Sequence, residues 1–211
     1  MIIKSIELAD YRNYESLNLE FDKGTNILYG DNAQGKTNIL EAIFVSATTK
    51  SHKGSKDSEI INFNKDEAHI RTYLEKEGIN TRVDMHLRKA KSKGIAIDGQ
   101  KIKKAADLLG LCNVVFFSPE DLSIIKNGPG ERRRFVDMEL CQIDEIYLYN
   151  LNHYNKIINQ RNTLLKDMYF NPELKNTLNI WDMQLASYGS KIIERRKVFV
   201  EQLNEIISDI H

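Results

Sequence analysis

The sequence predicts an α/β fold in two parts, a strand-rich lobe over residues 1–128 and a helical subdomain over residues 129–211. Three observations predict it. The first 117 residues carry short apolar runs that alternate at a period of two, the pattern of half-buried strands. One of these runs leads into a glycine-containing loop and then an amphipathic helix. After Gly128-Pro129-Gly130 the apolar spacing changes to three and four residues, the pattern of long helices.

The elements follow in order. Ile2-Ile3, Ile6 and Leu8 suggest a first strand, and Leu17, Leu19 and Phe21 alternate strictly in a second. Thr25 to Tyr29 is a short apolar segment ending at Gly30. From Thr37 to Ala47, Ile39, Leu40, Ile43 and Phe44 form one helical apolar face. Ala68 to Leu74 and Thr81 to Leu87 are paired strands, and Asp98-Gly99 between Ile95-Ala96-Ile97 and Ile102 signals a hairpin. A short helix is expected over Ala105 to Leu111. Asn113 to Phe117 is continuously apolar, as in a strand buried on both faces. Ser118-Pro119-Glu120-Asp121 starts a helix with a capping serine, a first-turn proline and two acids. Tyr147, Leu151, Tyr154 and Ile158 form one later stripe. Trp181, Leu185, Tyr188 and Ile192, continued by Phe199, Leu203, Ile206 and Ile210, form another. With Asn171-Pro172 between them, these stripes predict an antiparallel helical arm. No Gly, Asn or Pro stop signal precedes His211, so a truncated helix is expected there.

Composition narrows the function classes. Thirty basic residues balance thirty acidic ones, so affinity for nucleic acid must rest on local patches rather than net charge. No apolar run approaches the ~20 residues of a membrane span, and the N-terminus lacks the pattern of a secretion signal. A cytoplasmic protein is expected. Cys112 and Cys141 form no CxxC pair, and the five histidines show no metal-ligand spacing in sequence.

Gly30-Asp31-Asn32-Ala33-Gln34-Gly35-Lys36-Thr37 fits G-x-x-x-x-G-K-[ST]. Glycines let the backbone curl so that successive amides face phosphate oxygens. The following helix adds unpaired amides and a positive dipole end. Lys36 places a cation near the β- and γ-phosphates, and the Thr37 hydroxyl is a Mg²⁺ ligand. Chance would supply such a match on the order of once per hundred chains of this length. ATP and Mg²⁺ are the expected ligands, with Lys36 and Thr37 the residues closest to the chemistry. Hydrolysis also needs a metal-holding carboxylate and a group that positions water. Glu120 or Asp121 is the candidate carboxylate, set against the simpler role of helix-end acids.

Tyr11 to Tyr14 before the phosphate loop, Val114 to Leu122, Arg132 to Phe135 and Trp181 to Gly189 together resemble the ordered motifs of the RecF family, bacterial recombination-mediator ATPases related to the structural-maintenance-of-chromosomes (SMC) ATPases. Tyr11-Arg12-Asn13-Tyr14 stands before the phosphate loop at the family's spacing, and Asn38 follows the loop. Val114-Val115-Phe116-Phe117-Ser118-Pro119-Glu120-Asp121-Leu122 is similar to the mid-chain motif. Gly128, Arg132-Arg133-Arg134-Phe135 and Asp137 resemble the next, and Trp181-Asp182, Gln184-Leu185-Ala186 and Tyr188-Gly189 a third. The resemblance implies a partial, mixed-sheet ABC-type ATPase head with a helical arm, and Arg12 and Asn13 near the nucleotide phosphates. It implies an ATP-dependent homodimer, DNA at single-strand/double-strand junctions, and other recombination mediators as partners. It also implies weak DNA-stimulated ATPase activity in a full-length dimer. The signature and metal-carboxylate motifs of such heads lie beyond a helical arm, and neither occurs here. The chain is therefore expected to be an N-terminal piece that binds ATP without turning it over, and Glu120 and Asp121 become supporting contacts at most.

Between Arg82 and Lys104 eight basic residues stand against Asp84 and Asp98. Lys89, Lys91 and Lys93 are the DNA-contact candidates there; the alternative is a solvated hairpin whose charges are neutralised in space. Lys50, Lys53 and Lys56 form a second candidate patch or a plain loop, and Arg132 to Arg134 could pair with neighbouring acids. The competing function is a phosphate-loop kinase or another small-molecule nucleotide-handling enzyme. Against it stand the antiparallel pattern of the N-terminal strands and the lack of an arginine cluster near the loop.

Overall fold

A computed structural model describes residues 1–210, apart from the side chains of Glu120, Leu122 and Ser123. The described residues form two compact units, Met1–Leu122 and Ser123–His211.

The first unit is built on a six-stranded sheet. The strands are β1 (Ile2–Tyr11), β2 (Tyr14–Glu20), β3 (Glu67–Lys76), β4 (Ile79–Arg88), β5 (Gly94–Ile97) and β6 (Gln100–Lys101). Their spatial order is β2-β1-β3-β4-β5-β6, and every neighbouring pair is antiparallel. Two-residue turns fix the registers: Glu77-Gly78 and Asp98-Gly99 both take positive φ, which matches the right-handed twist of the strands they join. One face of the sheet is dry. Ile6 and Leu8 of β1, Ala68, Ile70 and Leu74 of β3, and Val83, Met85 and Leu87 of β4 are buried. They join Ile39, Ala42 and Val45 of helix α1 (Lys36–Thr48) in one core. Helix α2 (Asp57–Ile60) adds Ile60 to that core.

Two expected strands are not strands. Residues 25–29 and 113–117 are irregular, although the side chains of 113–117 alternate as a strand's do. Leu28 and Val114 pack on the core, and Phe116 lies against Phe44 and His52. Ile27, Tyr29, Val115 and Phe117 are 78%, 91%, 88% and 83% exposed. The physical reason is the missing ladder: a strand needs a paired strand along its length, and among the described residues neither segment joins a ladder. The short helix expected over residues 105–111 is a single 3₁₀ turn, Ala105–Leu108.

The second unit is helical: α3 (Ser123–Lys126), α4 (Pro129–Ile143), α5 (Glu145–Asp167) and α6 (Leu178–Ile210). Pro129 stands in the first turn of α4. Asp144 caps α5 by accepting a hydrogen bond from the Tyr147 amide. Pairs along α5 and α6 run in opposite directions: Arg161 with Asp182, Tyr154 with Gly189, and Asp144 with Arg195. A Cβ on Gly189 would lie 3.2 Å from the Tyr154 ring, so this glycine sets the close approach of the two helices. The apolar stripe of α6 packs through Ile192 and Phe199, while Ile206 and Ile210 farther along it are exposed. Among the described residues no helix is long and apolar enough to cross a membrane.

Candidate nucleotide-binding site

The phosphate loop has the backbone its sequence calls for. Gly30, Ala33 and Gly35 take φ of 140°, 65° and 97°. Gly35, in the left-handed region, is the N-terminal cap residue of α1, and no side chain caps the helix. The first turn of α1 contains no acid. Its leading amides and dipole therefore face the loop without a competing anion. Lys36 reaches back across the loop, its Nζ donating to the carbonyls of Gly30 at 2.7 Å and Asp31 at 2.6 Å. Thr37 is exposed in the first helical turn, as are Asp31, Asn32, Ala33 and Gln34 around the loop.

The turn between β1 and β2 lies on this loop. Asn13 Nδ2 and the Tyr14 hydroxyl both donate to the Gln34 carbonyl at 3.3 Å, and Asn38 Nδ2 donates to Asn13 Oδ1 at 2.8 Å. A Cβ on Gly35 would come within 2.7 Å of Asn13 and of the Tyr14 hydroxyl. Gly35 is thus required twice, by its φ and by the turn stacked over it.

Arg12, on the same turn, is bonded to the loop helix. Its guanidinium is bidentate on Glu41 of α1, with Nε to Oε2 at 2.8 Å and the second nitrogen to Oε1 at 2.7 Å. It also donates to the Glu59 carbonyl and to Ser55 Oγ. Arg12 ties the β1–β2 turn to the loop helix, and Asn13 is the member of the pair that touches the loop. Glu41 is fully buried and accepts a further bond from Ser51 Oγ at 2.5 Å. Burial alone would raise its pKa. The hydrogen bonds from Arg12 and Ser51, with the charges of Arg12 and Lys53, outweigh burial and bring it below the ordinary value. Burial, then the Glu41 charge, keeps the Tyr11 hydroxyl protonated. Sequence reasoning missed Glu41. The available signal was a carboxylate amid Ile39, Leu40, Ala42, Ile43 and Phe44, where an unpaired charge could not be buried.

Beside the loop lies an open cleft of about 730 Å³. Arg12, Asn13, Asn38, Lys53, Phe63 and Lys89 line it, with Phe63 92% exposed. Lys53 and Lys89 thus come together at the loop's flank rather than in two separate patches. Lys89 lies 3.7 Å from Asp66. Lys93 is half-buried and engaged, donating to the Thr49 carbonyl at 2.5 Å and to Asp57 at 2.8 Å. Lys91 is exposed. Asp121 Oδ2 accepts from the Ser118 amide at 2.6 Å, the role of a helix-end acid; the Glu120 side chain lies outside the described residues.

A model of the AAA domain family matches residues 5–210. Over its full length the chain is 64% identical to the DNA replication and repair protein RecF of Agathobacter rectalis and 46% identical to that of Clostridium perfringens, spanning 58% of each. The chain therefore spans a little over half the length of the curated relatives it matches. Among solved structures, the recombination mediator protein RecF with ATP, in the RecFOR pathway, superposes on 95% of this chain and 54% of its own, with a TM-score of 0.92 and 37% identity. An SMC ATPase structure described by its ATP-driven dimerisation shares the fold at a TM-score of 0.53 and 21% identity, over 65% of this chain.

Proposed function

Because this chain belongs to the AAA domain family, we propose that it is the nucleotide-gripping part of an ATP-dependent, DNA-binding recombination mediator that serves DNA repair and replication restart. The single observation that carries the proposal is the loop itself. Gly30 to Thr37 forms a backbone nest at an uncapped helix end, and the Arg12-Asn13 turn is fastened over it by Glu41 and Gln34. In this reading the amides of residues 30–37 and Lys36 bind the phosphates. Lys36 exchanges its two carbonyl partners for phosphate oxygens. Asn13 and Arg12 hold the loop's closing end in shape. Phe63 offers an aromatic surface in the cleft for the base. The exposed Thr37 hydroxyl is a hard oxygen donor of the type Mg²⁺ takes, and Mg²⁺ when bound neutralises phosphate charge.

The exposed apolar side chains of Ile27, Tyr29, Val115 and Phe117, in segments outside the sheet, support a head that a further lobe completes, as do relatives longer than this chain. We place the metal-holding carboxylate and the partner-contacting signature in that lobe. The full-length protein would then dimerise on ATP at single-strand/double-strand junctions in the cytoplasm, hydrolyse ATP weakly under DNA stimulation, and work with other mediators. This segment alone would bind ATP without turnover. Its working division is a head lobe over residues 1–128 and a helical arm over residues 129–211. A kinase reading is disfavoured by a sheet with no parallel pair among the described residues.

The test is ATP affinity, with and without gapped duplex DNA, for full-length wild-type and Lys36→Ala proteins. The proposal expects the variant to lose ATP binding while staying folded, and gapped DNA to raise wild-type ATP affinity or dimerisation. Unchanged ATP affinity in Lys36→Ala removes the site. DNA with no effect on affinity or dimerisation removes the mediator reading.

A further inference from the structure

The face of the sheet turned away from α1 carries a constellation that the nucleotide site does not use. In the β3–β4 pair, Glu67 stands opposite Arg88, His69 opposite His86, and Arg71 opposite Asp84. Glu67, His69 and His86 share one face, because residues at a spacing of two along a strand point the same way and directly opposed residues do too. The imidazoles of His69 and His86 stack with centroids 4.1 Å apart. His86 Nε2 lies 2.6 Å from Glu67 Oε2. One donor atom from each of the three lies within 4.8 Å of the others.

We propose that Glu67, His69 and His86 form a binding site for a borderline divalent transition-metal ion, Zn²⁺ in the first instance, which clips β3 to β4. Two imidazole nitrogens and one carboxylate oxygen are a donor set Zn²⁺ takes, and a fourth position stays open to water. Zn–N and Zn–O bonds near 2.0 Å in a tetrahedron put donors about 3.3 Å apart. The His86–Glu67 pair is already closer than this. The widest gap must shrink by about 1.5 Å, within reach of side-chain rotation on an open face. Oxygen-preferring Mg²⁺ is a poor match for two imidazoles.

The surroundings allow a cation. His69 and His86 line a shallow depression of about 680 Å³ with Glu7, Arg71, Asp84 and Arg88 among its other walls. Arg71 is held between Glu7 at 3.1 Å and Asp84 at 2.6 Å, so its charge is already balanced. The Arg88 guanidinium donates to the Ser92 carbonyl. The strands beneath are rigid: Ala68, Ile70, Met85 and Leu87 on the opposite face are buried in the core. The backbone therefore fixes the donors' spacing before any ion arrives.

The test is Zn²⁺ titration calorimetry on the nucleotide-free protein in Mg²⁺-containing buffer, for wild type, His69→Gln and His86→Gln. Co²⁺ absorption is recorded in parallel. The proposal expects one equivalent of Zn²⁺ on the wild type. Each variant should weaken it by at least the roughly 10- to 100-fold that loss of a mere outer partner costs a metal site. The weak visible bands of nitrogen and oxygen ligation should appear without a thiolate charge-transfer band. Thermal melts of the metal-free proteins should show all three folded, and only the wild type should gain stability with Zn²⁺. The proposal is overturned by no saturable binding, by wild-type affinity retained in either variant, or by a thiolate band that assigns the ion to Cys112 or Cys141. In those cases His86 and Glu67 are an ordinary surface hydrogen-bonded pair.

Discussion

Replacing Glu41 by glutamine tests whether the loop helix and the Arg12-Asn13 turn are one unit. The exchange keeps the side-chain volume and removes the charge. Glu41 is fully buried, and the Arg12 side chain is 21% exposed. The variant leaves a mostly buried guanidinium with one amide oxygen in place of a bidentate carboxylate, and Ser51 Oγ competes for that oxygen. Removing one partner of a buried pair costs about 3–5 kcal/mol. Arg12 retains its bonds to the Glu59 carbonyl and Ser55, so the low end, about 3 kcal/mol, is expected. Urea unfolding read by circular dichroism measures it. A cycle with Arg12→Ala isolates the coupling, which should exceed ~1 kcal/mol. The pH dependence has a definite sign. The Glu41 pKa is lowered in the folded state, so its contribution is present above the unfolded value near 4.5 and is lost as pH falls through the folded value. Glu41→Gln should flatten that acid limb of the stability curve. ATP affinity should fall as well, since the turn that closes the loop is released. Stability within about 0.5 kcal/mol of wild type, the range of ordinary surface substitutions, would refute the coupling of Arg12 to the loop helix.

Other substitutions separate the remaining roles. Gly35→Ala forces a Cβ against Asn13 and Tyr14 at positive φ and should abolish ATP binding at a stability cost of about 1–3 kcal/mol, checked by calorimetry and thermal melting. Phe63→Ala, at a 92% exposed site, should leave stability unchanged and weaken ATP more than inorganic triphosphate; equal effects on both would exclude a base contact. In the full-length protein Lys91→Glu should lower the slope of log affinity for DNA against log salt by about one phosphate contact. Lys93→Glu should act chiefly by destabilising the fold, because Lys93 is tied to Asp57 and the Thr49 carbonyl.

What the sequence discloses depends on how local the determinants are. The β3–β4 and β5–β6 hairpins were legible because period-two alternation and an Asp98-Gly99 turn are short-range signals. The loop was legible because its geometry is written in adjacent residues. Glu41 and the Glu67–His69–His86 group were not, because they exist only when separate segments meet. Arg12 and Glu41 are 29 residues apart, and Glu67 and His86 are 19 apart. Lys93 illustrates the same limit from the other side: a basic residue in a charge-rich hairpin looks free until Asp57 is folded against it.

The segments at residues 25–29 and 113–117 carry that reasoning furthest. Residues 113–117 alternate between core and solvent as a strand's do, and residues 25–29 turn Leu28 to the core between exposed Ile27 and Tyr29. Neither segment joins a strand ladder among the described residues. Local preference therefore sets which side chains face inward, while ladder formation waits on a long-range partner. One segment leads directly into Gly30 of the phosphate loop, so pairing there would also fix the loop's entry. Amide hydrogen exchange in the full-length protein tests this: the amides of residues 26–29 and 115–117 should be more protected there than in residues 1–211 alone. Equal exchange in the two proteins would show that no strand partner reaches these segments and that the loop's entry is shaped by α1 and the Asn13 turn alone.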